Sequence, residues 1–84
     1  VEGSELRVNV DAWRGSVRAE LLDAGDGRPL AGYSREESLS VAVDEVDEPL
    51  RWKEKKSVSD LGGKTVRIRF SILNAELYAF WFAG

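Results

Sequence analysis

The groups in this chain able to move a proton are its carboxylates, lysines and tyrosines. Histidine and cysteine are both absent from its 84 residues. That removes the usual zinc ligands and every Ser-His or Cys-His arrangement for nucleophilic catalysis. Neither a metal centre nor a cofactor is expected. Fifteen Asp and Glu residues remain. Glycoside hydrolysis would need two of them about 5–9.5 Å apart in a cleft. Nothing in their spacing singles out such a pair, and a chain this short leaves little room for a cleft. An enzyme is therefore not expected. Asp44, Glu45, Asp47 and Glu48 offer oxygen ligands of the calcium type without an EF-hand pattern. They read as a solvated acidic loop. "RWKEKK" (Arg51 to Lys56) is broken by Glu54 and reads as a solvated strand end. "DAGDG" and "LGGK" carry glycines, but neither is a phosphate loop; both read as turns.

The aromatic residues offer a different chemistry. A ring face combines apolar area with a π cloud, which suits stacking on a sugar ring. Trp13 falls in a predicted turn, where binding residues concentrate. Trp52 lies within "LRWK" and reads first as core. Trp81 reads first as an interface residue. The carbohydrate-binding candidates are thus Trp13, Trp52 and Trp81, each set against plain packing.

Alternation dominates the elements that must position these groups. "SELRVNV" puts Leu6, Val8 and Val10 on one face, and "GSVRAEL" does the same with Val17, Ala19 and Leu21. In "KTVRIRFSI", Val66, Ile68, Phe70 and Ile72 oppose Thr65, Arg67, Arg69 and Ser71. Period two over seven or more residues predicts half-buried antiparallel strands. Arg18, Glu20, Arg67 and Arg69 are then expected to form exposed cross-strand pairs. "DAWRG" (Asp11 to Gly15) and "DAGDGRP" (Asp23 to Pro29) read as turns. Short strands are predicted near Leu30, over Leu39 to Val43 and over Leu50 to Lys53, with "DEVDEP" as an acidic loop between the last two. "VSDLGGK" reads as a brief helical turn or loop, stopped by Gly62 and Gly63.

The sum is one all-β domain over residues 1–84. It is expected to be an antiparallel β-sandwich, jelly-roll-like, of about seven strands. With no cysteine, no disulfide supplements a core near the practical minimum of size. Net charge is −3 with both signs interspersed, so no nucleic-acid partner is expected. No run approaches the roughly 20 apolar residues of a membrane helix, so no membrane partner is expected either. The absence of methionine suggests a processed fragment or a trimmed chain.

The C-terminal "AELYAFWFAG" carries bulky apolar groups at consecutive positions. A three-residue loop, Asn74 to Glu76, would pair Leu73 with Leu77. It would set Ile72 by Tyr78, Phe70 by Phe80 and Ile68 by Phe82. That register buries three aromatics on the best apolar face in the chain. Asn74 tolerates the left-handed backbone such a loop needs. Leu77, Ala79 and Trp81 then lie on the other face, beside Leu73, and form a predicted interface.

"GSVRAELLDAGDGRPLAGYS", "LRWK" and "SDLGGKTVRIRFSILNAELYAFWF" resemble the C-terminal β-sandwich module of levanase- and invertase-type glycoside hydrolases. Similar stretches occur in uncharacterised bacterial proteins. The resemblance covers nearly the whole chain, and the order and spacing of its motifs are what carry it. It implies a non-catalytic accessory module packing on a propeller catalytic domain in a secreted or periplasmic parent enzyme, sometimes touching glycan. Tyr33 matches the family's loop aromatic, which reads as structural. No aspartate here matches a catalytic motif. The family module normally has a strand before "GSELRVNV", and "REESLSVAVDEVDEP" also departs from its pattern. A missing first strand would leave a sheet edge unpaired, and such edges recruit partners. A homo-oligomer is therefore expected of the isolated chain.

Overall fold

A computed structural model describes residues 3–55 and 57–84. Among them the chain is all-β, with five antiparallel strands in two sheets and one turn of 3-10 helix at Ser59–Leu61. The strands are β1 (Glu5–Asp11), β2 (Ser16–Asp23), β3 (Asp44–Leu50), β4 (Val66–Leu73) and β5 (Glu76–Ala83). One sheet runs β3-β1-β5, and the other pairs β2 with β4.

β1 forms as its alternation predicts: Leu6, Val8 and Val10 are buried and the residues between them half-buried. Val17, Ala19 and Leu21 of β2 join them in one core with Tyr33, Val41, Leu50, Trp52, Val58 and Leu61. Both sheets thus share a single apolar interior. The turn after β2 is built by aspartates. The Asp23 carboxylate accepts the Gly25 N–H at 2.7 Å, and the Asp26 carboxylate accepts the Arg28 N–H at 2.9 Å. Gly27 supplies a φ of 72° that a side chain would resist. The Gly25 bond, then the Asp26 N–H and Lys64, hold the Asp23 carboxyl below its ordinary range.

Three expectations about strands need correction. The short strands near Leu30 and over Leu39–Val43 reduce to isolated bridges, Leu22 to Pro29 and Val17 to Val41. Leu50–Lys53 is no strand of its own: Leu50 ends β3, and Trp52 makes single bridges to Ser38 and Lys55. The acidic loop is a strand. Asp44–Leu50 pairs with β1 from Leu6↔Leu50 to Asp11↔Asp44, with a bulge where Val46 and Asp47 together face Asn9. Its carboxylates and Pro49 suit a sheet edge, where charge and proline discourage further pairing. Arg7 secures it by binding the Asp47 carboxylate.

The largest correction concerns β4 and β5, which do not form a hairpin. β4 pairs with β2 over its whole length, from Ser16↔Leu73 to Asp23↔Val66. β5 pairs with β1, from Glu5↔Ala83 to Asp11↔Glu76. Asn74 does adopt the left-handed backbone, at φ 48°, but it turns the chain from one sheet into the other. Phe70 and Phe80 still meet, with ring centroids 5.2 Å apart, as a contact between sheets.

Candidate functional site

The β1–β2 turn and the Asn74 corner meet at one end of the molecule. Between them lies a shallow depression of about 370 Å³, lined by Asp11, Trp13, Arg14, Asn74, Ala75 and Glu76. The Trp13 ring is 70% exposed above it. Asp11 lies opposite Asp44 on one side and Glu76 on the other, so three carboxylates cross the sheet in a row. The Tyr78 hydroxyl donates to the Glu76 carboxylate. That carboxylate, followed by Asp11 and Asp44, raises the Tyr78 phenol above its ordinary value. An open ring flanked by acceptors and one guanidinium has the chemistry of a sugar platform.

The other two tryptophans are placed differently. Trp52 is 2% exposed. Its Nε1–H donates to the Ala19 carbonyl at 3.0 Å, and its ring stands edge-on to Tyr33, centroids 5.2 Å apart. It presents no face to a ligand and drops out of the set of open rings. Trp81 is half-buried beside Arg7 on β1. It lies five residues beyond Glu76, about 17 Å along the strand from the depression, so Trp13 and Trp81 do not converge.

Tyr33, with 1% of its surface exposed, holds a structural lock. Its hydroxyl donates to the Asp60 carboxylate, with the Ser57 carbonyl 3.3 Å away. Lys55 Nζ lies 3.0 Å from the same carboxylate and 5.4 Å from the centre of the Tyr33 ring. Burial first, then the hydrogen bond to Asp60 and its charge, raise the Tyr33 phenol well above its ordinary value. The Tyr33 bond, then Lys55, lowers the Asp60 carboxyl. The raised phenol stabilises the fold below the unfolded tyrosine value of about 10 and loses that contribution as pH climbs through the folded value. The lowered carboxyl stabilises above the unfolded value of about 3.9 and is lost as pH falls through the folded one. Urea midpoints measured against pH should therefore plateau near neutrality and fall at both ends. Tyr33→Phe should flatten the alkaline fall.

The predicted interface of Leu73, Leu77, Ala79 and Trp81 is not one face. At the β1–β5 ladder Asn9 pairs with Ala79 and Val10 with Leu77, so Tyr78 is an extra, bulged residue. The bulge turns Leu77 to the side of Phe80 and Phe82, toward the core, and leaves Ala79 and Trp81 on the outer face. On β4 and β5 the large apolar groups left open are Ile72, Leu73, Tyr78 and Phe80. Sequence reasoning placed all of these but Leu73 inside. Only the pairing of β5 with β1, a long-range fact, reveals them.

These residues border an open flank. The far edge of β2 is covered by the 29–41 connector, through Val17 N–H to Val41 O at 2.8 Å and Leu21 N–H to Tyr33 O at 3.0 Å. The far edges of β4 and β5 have no such strand among the described residues. Of the expected cross-strand charge pairs, Arg69 meets Glu20 at 3.1 Å, while Arg18 binds the Ser40 hydroxyl. Among the described residues no group of acidic side chains is arranged to hold a metal ion, and no helix is long and apolar enough to cross a membrane. Comparison with family models, with curated proteins and with solved structures returns no match for this chain.

Proposed function

We propose that the chain is a non-catalytic accessory module that works by contact with other protein surfaces. In this reading it is a jelly-roll-like β-sandwich resembling the C-terminal module of levanase-type glycoside hydrolases. The open flank of β4 and β5 carries the reading. It combines strand edges without partners with exposed Ile72, Leu73, Tyr78 and Phe80. Unpaired edges are templates for pairing, and an apolar patch of this kind marks a contact site. In a parent enzyme a propeller domain would meet it, and in isolation a second copy would. Light scattering across a concentration series tests this. The expected mass exceeds the 9.3 kDa of one chain and rises with concentration. A mass fixed at one chain would contradict self-association.

Carbohydrate binding is the second reading, and exposed Trp13 alone favours it. Titrating tryptophan fluorescence with fructans and xylan should then give a saturable shift that Trp13→Ala removes. A shift that survives Trp13→Ala, or no shift with any glycan, removes this reading.

A further inference from the structure

We infer that the chain captures a second copy of itself by antiparallel strand addition at the outer edge of β5, centred on Phe80. The inference rests on the contact-module reading above and names its surface. The backbone supplies the first argument. Ala83 O accepts the Ser4 N–H at 2.8 Å, on the β1 side of the strand. Backbone groups alternate sides along a strand. Phe80 and Phe82 therefore turn their N–H and C=O groups to the outer edge, where no described strand meets them.

Charge supplies the second. In a two-fold pair a strand meets its own sequence reversed, so like charges oppose one another. The β3 edge would set Asp44, Glu45, Asp47 and Glu48 against themselves, and Pro49 blocks a ladder there. The β4 edge carries Arg67 and Arg69. β5 has no charged residue from Leu77 to Ala83. It is the edge on which self-pairing meets no repulsion.

Size supplies the third. Pairing Phe80 with its counterpart sets Ala79 opposite Trp81 in both directions, a small residue facing a large one. It also brings together the two half-exposed Phe80 rings, each already against its own Phe70. The apolar flank of each copy then closes on the other.

The test combines mass and hydrogen exchange on the full chain. The wild-type protein should reach twice 9.3 kDa. Its Phe80 and Phe82 amides should exchange roughly tenfold or more slowly in concentrated than in dilute samples. Phe80→Pro removes an N–H that β1 does not use and should give a folded single chain by circular dichroism and mass. Phe80→Ala keeps that N–H and should retain a weakened dimer. Val46→Lys, on the β3 edge, should leave the dimer intact. A wild-type dimer whose Phe80 and Phe82 amides ignore concentration overturns the β5 edge while the contact reading stands. A single-chain mass at every concentration overturns self-association altogether. Should Phe80→Pro fail to fold, the wild-type exchange data decide alone.

Discussion

Trp52→Ala is expected to unfold much of the population at room temperature. Truncating a buried tryptophan costs about 3–5 kcal/mol. A chain of this length has only roughly 4–13 kcal/mol in all. The indole fills the space between β2 and the Tyr33 loop, and its N–H satisfies the Ala19 carbonyl. Removing it leaves that buried carbonyl short of a partner, a further cost. Trp52→Phe should keep part of the packing and lose the hydrogen bond, costing about 1–3 kcal/mol. Urea unfolding followed by circular dichroism would rank the three proteins. Near-native stability of Trp52→Ala would contradict the position given to this ring.

Gly15→Ala is the second large effect. A Cβ at Gly15 would lie 1.8 Å from the Leu73 carbonyl oxygen and 2.6 Å from that of Asn74. Both obstacles are backbone, so no side chain can swing aside. Either the β1–β2 turn or the Asn74 corner must move, and each anchors one end of a sheet. The expected loss is about 3 kcal/mol, at the upper end of overpacking costs. Gly27→Ala is the informative contrast. No atom lies within 4 Å of a Cβ there, and only its positive φ resists substitution, at about 1 kcal/mol. Thermal melts of the two variants would separate steric from conformational cost.

Local pattern was legible wherever a strand has one wet and one dry face. β1 and most of β2 and β4 could be read from alternation alone, while two closing glycines marked a helical turn or a loop where the 3-10 turn lies. Trp13 could be placed in an exposed turn. What escaped is long-range. β3 has the composition of a loop, because an edge strand held by Arg7 needs neither β-branched residues nor alternation. The partner of β5 cannot be found by asking which face of β4 it would best cover. β1 was the competing partner, and it offers Leu6, Val8 and Val10 in register with Phe82, Phe80 and Leu77. The bulge at Tyr78 then reverses the predicted face of Leu77 and leaves Ala79 to Phe82 facing as expected. Ile72 and Phe80 are left open because β5 pairs with β1 and does not cover β4 as a hairpin partner would.

Whether β4 and β5 stand in different sheets decides whether an open flank exists, and solution NMR tests that most directly. Cross-strand Hα and amide contacts should connect Asn9 with Ala79 and Leu6 with Phe82, and Ala19 with Phe70. Contacts joining Leu73 to Leu77 and Ile72 to Tyr78 along a hairpin ladder would contradict the account, for the two strands would then cover each other's edges.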